Sequence, residues 1–262
     1  MIAVIGAGAM GEALIAGWLA SGIPAASIRI VDAHEPRVAQ LEERHGVTGV
    51  SLAEAAAADT VVLAVKPHQI TAILGACLPH LGEGSLVVSI AAGVTVQQLE
   101  EAAPERAVVR VMPNTPALVG KGMAGIVPGS HATDEHVERV RELLQAVGKA
   151  VVIGESQLDA LTALSGSGPA YLFYIAEAMI EGGVHQGLTR AQATELVNQT
   201  FVGSAVMLAE SGKSASQLRE MVTSPAGTTA AALRTLDDHG VRAAFLDAVE
   251  ACRARGIGMA GG

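Results

Sequence analysis

Apolar residues fall in two rhythms along this chain. Up to about residue 153, short continuous apolar runs alternate with stretches whose apolar positions recur every three or four residues. The runs are Ile2 to Ile5, IRIVDA (28–33), TVVLAV (60–65), SLVVSIA (85–91) and AVVRVMP (107–113), with further strands over 123–128 and 150–153. Unbroken β-branched runs suit parallel strands covered on both faces. Between them, Ala13, Leu14, Ala16, Gly17 and Leu19 continue a helix that Gly22-Ile23-Pro24 ends. Pro36 to His45 reads as a helix with Val38 and Leu41 apolar, stopped by Gly46; Gln69 to Leu78 and Asp134 to Val147 read as two more. This β–α alternation predicts an α/β fold, a Rossmann-like doubly wound parallel sheet with ligands at the carboxyl ends of its strands.

From about Leu158 the strand signals stop. Thr189-x-x-Gln192 and Ser214-x-x-Gln217 have the form of capping boxes opening helices. After the first of these, Ala193, Leu196, Val197, Phe201, Ser204 and Leu208 share one face at helical spacing. The second half is therefore expected to be an all-helical domain, 154–262, following a dinucleotide-binding domain, 1–153. No Pro- or Ser-rich linker separates them, so firm packing is expected.

The chain opens MIAVIGAGAMGEALIAGWLASG. No Lys or Arg precedes the apolar run and glycines interrupt it, which argues for strand, turn and helix over a secretory leader. Gly6-Ala7-Gly8-Ala9-Met10-Gly11 then fits G-x-G-x-x-G in the context that motif requires. Gly6 permits the tight turn, Gly8 lets the main chain approach a diphosphate, and Gly11 lets helix and strand pack closely. The helix start supplies N–H donors and positive potential. Asp32 ends the second strand and is placed to accept hydrogen bonds from an adenosine ribose, which favours NADH; a strand-end cap is its plain alternative. Arg37 follows closely and offers a cation to a 2′-phosphate, which pulls the other way. Ala64, Val65, Lys66 and Pro67 end the third strand, where Pro67 directs the chain past a cofactor and Lys66 can meet phosphate or ribose; a solvated lysine is the alternative. Ala91, Ala92 and Gly93 keep the loop after the fourth strand small, as a nicotinamide end requires. In MPNTPA (112–117) two prolines rigidify a loop around Asn114, whose amide is suited to holding a ring.

Half the 262 residues are hydrophobic and no apolar run reaches the roughly 18 residues of a membrane helix. A net charge of −9 with no basic patch excludes nucleic acid as the expected partner. Cys77 and Cys252 form neither a metal spacing nor a disulfide framework, and the eight histidines are scattered, so no metal is expected. With no targeting segment, the cytoplasm is the expected compartment. Aromatics are 2% of residues while alanine and glycine abound, which calls for a core built by close backbone approach.

Three segments together resemble one family: GAGAMG (6–11), VMPNTPALVGKG (111–122), and LSGSGPAY (164–171) with VTSPAGTTAAAL (222–233). They are similar to pyrroline-5-carboxylate reductase, over nearly the whole chain, and the last segment is the most specific. The resemblance implies reduction of the C=N bond of 1-pyrroline-5-carboxylate by NAD(P)H to L-proline, the last step of proline biosynthesis. It implies an interlocked homodimer through the helical domain, often assembled into a decamer. Family members often carry Asn-Arg or a Ser pair where this chain has Asp32-Ala33, which sets it apart from their usual NADPH preference. The resemblance also puts Thr229 at the ring nitrogen.

The SPAGTT segment has its own physical logic. Pro225 and Gly227 break a helix over Ser214 to Val222, and Thr228 or Thr229 starts another. A new helix start bares N–H donors suited to a carboxylate, and Ser224 and Thr228 add hydroxyls. A capped joint without ligand is the local alternative. The expected substrate set is Ser224, Gly227, Thr228 and Thr229, with Thr229 as the catalytic residue. Ser165 and Ser167 lack any triad partner and the G-x-S-x-G elbow, so they read as a Gly-Pro break in a long helix. A protonated imine is already electrophilic, so the protein's task is to hold the reacting atoms about 3–3.5 Å apart. A β-hydroxyacid dehydrogenase would need a lysine on the helix after LSGSGPAY. The four lysines, Lys66, Lys121, Lys149 and Lys213, all lie elsewhere. A noncatalytic dinucleotide sensor is the rival from another class.

Overall fold

In a computed structural model, which describes residues 1–260, β1 (Ile2–Ile5) runs into α1 (Ala9–Ala20). There follow β2 (Ile28–Val31), α2 (Glu35–His45), β3 (Thr48–Gly49), α3 (Leu52–Ala56), β4 (Thr60–Leu63) and α4 (Ile70–Cys77). Then come β5 (Leu86–Ser89), α5 (Val96–Ala102), β6 (Ala107–Met112), β7 (Gly122–Pro128), α6 (Asp134–Gln145) and β8 (Gly148–Val152). The predicted elements are present, with ends shifted by a few residues. Three in the first half were not foreseen, β3, α3 and α5. β3 is too short to show a pattern, and the short α3 and α5 announce themselves only through the capping boxes of Ser51 with Glu54 and Thr95 with Gln98.

The strands form one sheet in the order β3-β2-β1-β4-β5-β6-β7-β8. Its strands are parallel except where β7 meets β6 antiparallel, so β7 and β8 run against the other six. The reversal corrects an all-parallel expectation. A return to the same direction needs a crossover of about a dozen residues or more, and the connection over 113–121 is too short for one.

Successive side chains of each strand enter opposite layers. Ile2, Val4, Val62, Leu86, Val88 and Val109 pack with Leu14, Ile15, Trp18, Leu143 and Leu144 of α1 and α6. Ala3, Ile5, Val61, Leu63, Val87 and Val108 pack with Ile70, Leu74, Cys77 and Leu99 of α4 and α5. The fully buried Trp18 ring donates from Nε1 to Leu143 O at 2.9 Å. Gly17 admits Val147 so closely that a Cβ would lie 2.2 Å from Val147 Cγ1. This is the backbone contact an alanine- and glycine-rich core needs.

The chain divides into two compact units. The first comprises Met1–Ser167 and the chain from Cys252 onward. It includes α7 (Leu158–Leu161) and the π-helical turn Thr162–Gly166, beyond the strand boundary near 153. The reason is packing: a Cβ at Gly125 of β7 would lie 2.6 Å from Leu161 Cδ1, and Leu158 and Ala163 are buried.

The second unit, Gly168–Ala251, is helical. It holds α8 (Gly168–His185), α9 (Arg190–Glu210), α10 (Ala215–Met221), α11 (Thr228–Asp238) and most of α12 (Val241–Ala260). Both predicted capping boxes are present. Gly183 and Ala193 let α8 and α9 approach. Of the stripe expected on α9, Ala193 and Val197 are buried, while Leu196 and Leu208 are 57% and 55% exposed.

Candidate functional site

The reversal of strand order falls between β1 and β4, where a doubly wound sheet opens its ligand crevice. Three glycines build the turn there, each for a different reason. Gly6 has φ +97°, donates to Val31 O at 2.8 Å, and would place a Cβ 2.6 Å from Ala64 O. Gly11 would place one 2.5 Å from Gly6 O. Gly8 caps α1 with no side chain, and a Cβ there would meet nothing within 4 Å. Bare N–H donors at the start of a 12-residue helix, facing open space, fit a diphosphate. Ala9 is exposed and Met10 half-buried beside them.

Asp32 follows β2 directly. Its Oδ2 accepts from Ala7 N at 2.7 Å and its Oδ1 from His34 N at 2.9 Å. The carboxylate thus holds the glycine turn and the entry to α2, leaving one lone-pair direction on each oxygen for a ribose. The groove beside it is lined by Glu35, Glu42 and Glu54 as well. Arg37, read as a cation for a phosphate, is engaged by protein. Its Nε donates to Ala7 O at 2.8 Å and its other nitrogens to Glu12 and Gln40.

Past β4, Ala64 and Val65 are half-buried while Lys66 and Pro67 are exposed, with Pro67 opening a 3₁₀ turn. Ala91 is buried after β5, Ala92 is exposed, and Gly93 has φ +79°. Ala92 and Gly93 border a cavity of about 290 Å³, together with Thr95, Met112, Leu158 and Thr162.

Asn114 has protein partners that the sequence did not announce. Its Nδ2 donates to Ser165 O at 2.9 Å and its Oδ1 accepts from Met123 N at 2.8 Å. With one N–H and the oxygen of the amide engaged, it staples the MPNTPA loop to the π turn and to β7. Ser165 donates to Leu161 O, and Ser167 lies 3.2 Å from Cys252 Sγ. The expected break in the long helix is a π turn followed by the bend at Ser167.

Sequence reasoning missed Arg110 and Glu155. Arg110 is 7% exposed and pairs with Glu155, whose Oε1 also accepts from Val96 N. The pair thus ties β6 to the start of α5 in the wall of the cavity. Arg110 Nε and Glu155 Oε2 have no hydrogen-bond partner among the described residues. A single charge inside the apolar run AVVRVM was the available signal.

In the second unit the predicted helix break is present. α10 stops at Met221 and α11 starts at Thr228 with Gly227 as its cap and no side-chain cap. Gly227 N closes a turn onto Ser224 O at 3.0 Å, and Ala226 takes φ +56°, a strained value for a residue with a Cβ. Ser224 and Thr228 are exposed, and Thr229 is half-buried. Elsewhere in this unit Tyr174, Met179, Leu236 and Phe245 line an apolar groove of about 840 Å³.

Among the described residues no cluster of His, Cys, Asp and Glu is fit to hold a metal, and no helix is long and apolar enough to cross a membrane. Burial pushes the Cys77 thiol up from its ordinary pKa.

Residues 155–259 match the family described as pyrroline-5-carboxylate reductase dimerisation, and residues 1–93 that described as NADP oxidoreductase, coenzyme F420-dependent. A pyrroline-5-carboxylate reductase of Corynebacterium melassecola is 46% identical over 260 residues, covering 97% of this chain and 96% of that protein. The solved pyrroline-5-carboxylate reductase of Coxiella burnetii has a TM-score of 0.95 at 35% identity, covering 98% of this chain and 97% of that one. The structure of the Plasmodium falciparum pyrroline carboxylate reductase with NADP bound has a TM-score of 0.87 at 31% identity, covering 99% and 97%.

Proposed function

The chain belongs to the pyrroline-5-carboxylate reductase family, and we propose from that premise which of its residues carry the reaction. The protein is an NAD(P)H-dependent oxidoreductase that reduces the C=N bond of 1-pyrroline-5-carboxylate to L-proline in proline biosynthesis. When bound, NAD(P)H supplies the hydride.

The first unit holds the dinucleotide. The observation that carries this is the uncapped start of α1 facing open space at Gly8. Gly6, Ala9, Met10 and Gly11 complete the diphosphate cradle. Ala64, Val65, Lys66 and Pro67 border it from β4, and Ala91, Ala92 and Gly93 leave room at the nicotinamide end. Asn114 positions that end by holding its loop. Asp32 and the acidic groove beside it favour NADH, because a 2′-phosphate there would meet like charge.

The second unit holds the substrate. The N–H donors at the start of α11, with the Ser224 and Thr228 hydroxyls, anchor the carboxylate, and Gly227 keeps the approach clear. Thr229 orients the ring nitrogen. We divide the functions near residue 153, a boundary supported by the end of β8 at Val152 and the family match that begins at 155. The dimerisation match supports self-association, and the exposed apolar groove suits a second copy. Assembly of dimers into a decamer and residence in the cytoplasm, where reduced nucleotide is available, complete the reading.

The decisive assay follows NADH and NADPH oxidation with pyrroline-5-carboxylate, with proline identified as product. A higher kcat/KM with NADH supports the Asp32 assignment. Dinucleotide binding without turnover of any cyclic imine would favour the sensor instead.

A further inference from the structure

One group beside the glycine turn has no part in the reading above. Glu12 lies one turn into α1, and two arginines and a histidine of α2 converge on it. Its Oε2 accepts from Arg37 NH2 at 2.5 Å, and its Oε1 accepts from Arg44 NH1 at 2.7 Å and meets His45 Nε2 at 3.2 Å. Arg37 stands five residues after Asp32, and the two grip one residue of the turn from opposite sides. Asp32 accepts from Ala7 N, and Arg37 donates to Ala7 O. The guanidinium therefore sits beside the carboxylate assigned to the ribose, where sites for phosphorylated dinucleotides carry an arginine. Every nitrogen of that guanidinium already has an acceptor, in Ala7, Gln40 and Glu12. The two ion-paired side chains are each only 21% exposed.

We propose that Glu12 is a specificity-determining residue for the dinucleotide: by holding Arg37, it withholds a guanidinium placed to neutralise a ribose 2′-phosphate. The proposal rests on the assignment of the glycine turn and Asp32 to the dinucleotide. This guanidinium can turn toward phosphate only if its carboxylate partner lets go, and charge-assisted bonds are among the stronger ones. Removing the carboxylate also takes a negative charge from the neighbourhood of the phosphate.

The test is calorimetric titration of the full-length protein with 2′,5′-ADP and with 5′-ADP, which separates the phosphate from the rest of the nucleotide without turnover. Glu12→Gln is expected to tighten 2′,5′-ADP relative to 5′-ADP by about tenfold, the worth of one charge-assisted bond. Adding Arg37→Gln should erase that gain. Arg37→Gln alone should change both affinities in parallel, and it keeps the test decisive should Glu12→Gln fold poorly. A Glu12→Gln protein whose affinity ratio stays within about twofold of the parent's would overturn the proposal. So would an Arg37→Gln protein that loses 2′,5′-ADP selectively, since Arg37 would then already serve the phosphate. A parent that binds 2′,5′-ADP more tightly than 5′-ADP contradicts the NADH reading of Asp32 alone, while a ratio that then shifts on Glu12→Gln still supports the role of Glu12.

Discussion

Two helices of this chain, one in each compact unit, begin at a glycine cap, and five other helix starts show what that means. α3, α5, α6, α9 and α10 open with a Ser or Thr side chain accepting from the backbone. α1 and α11 open at Gly8 and Gly227 with no side-chain cap. The stability given up is small, a few tenths of a kcal/mol for glycine in place of Ser or Thr. What is kept is a set of N–H donors free for an anion. The surroundings then differ. Around α1 the core is closed, with Leu14, Ile15 and Trp18 almost wholly buried. In the second unit Phe173, Tyr174 and Leu246 are 70%, 76% and 73% exposed. The start of α1 is built on a self-sufficient scaffold, while that of α11 belongs to a unit that leaves large apolar side chains open.

The sharpest way to break the likeness is to fill the space at α1. Gly8→Val should raise the dissociation constant for NADH by about a hundredfold or more, the loss of a diphosphate's grip. Its thermal midpoint should stay near the parent's, because nothing lies within 4 Å of the new Cβ. Gly6→Ala should instead destabilise the fold by roughly 2–4 kcal/mol in urea titration, since it combines positive φ with a backbone clash. Unchanged NADH affinity in Gly8→Val would remove the diphosphate from this turn.

At the other helix start, Thr229→Ala should lower kcat/KM for the imine by about tenfold to a hundredfold, a typical loss for one positioned donor. NADH affinity and the thermal midpoint should hold. Unchanged steady-state constants would take the catalytic role from Thr229.

The exposed apolar face should yield to a single charge. Leu246→Asp is expected to weaken self-association by about tenfold or more in sedimentation, as burying one leucine is worth roughly 1.5–3 kcal/mol. Proline formation should fall with the dimer, while NADH binding to the first unit should persist. A dimer of parental strength would place the interface on another face.

The smallest effect concerns Glu12. Hydrogen bonding from Arg37, then from His45 and Arg44, lowers its pKa from 4.5 to about 2 against the opposing effect of desolvation. A carboxyl with a depressed folded pKa stabilises above its unfolded value and loses that contribution as pH falls through the folded one. The parent should therefore lose stability between about pH 4.5 and 2, and Glu12→Gln should flatten that limb. Salt should shrink the difference, because the group is partly exposed. Identical acid limbs in denaturant titrations would show that the two arginines and the histidine do not hold this carboxylate.

Particular residues show what could be read in advance. Gly6 and Gly11 are legible because only glycine tolerates a positive φ or a backbone oxygen at 2.5 Å, so the constraint is written in the residue itself. Thr189 with Gln192 and Ser214 with Gln217 are legible because a capping box closes within four residues. The joint at Pro225 and Gly227 is legible for the same local reason. Asn114 stands out in its rigid loop, but its partner was not legible, since Ser165 O stands 51 positions away and nothing nearby announces it. Arg110 and Glu155 lie 45 positions apart and meet only because β6 and the chain after β8 come together.

The sequence by itself determined where most strands and helices lie, which glycines the first turn requires, and where a helix breaks to leave donors free. Those features depend on contacts between residues a few positions apart, or on the backbone freedom of a single residue. The tertiary structure alone decided that β7 runs backwards, that Asp32 grips Ala7, that Arg37 is held by Glu12, and that the α9 stripe stays half uncovered. Each of these depends on which distant side chains and main-chain groups come to share one place, and burial there rewards pairing that no local pattern encodes.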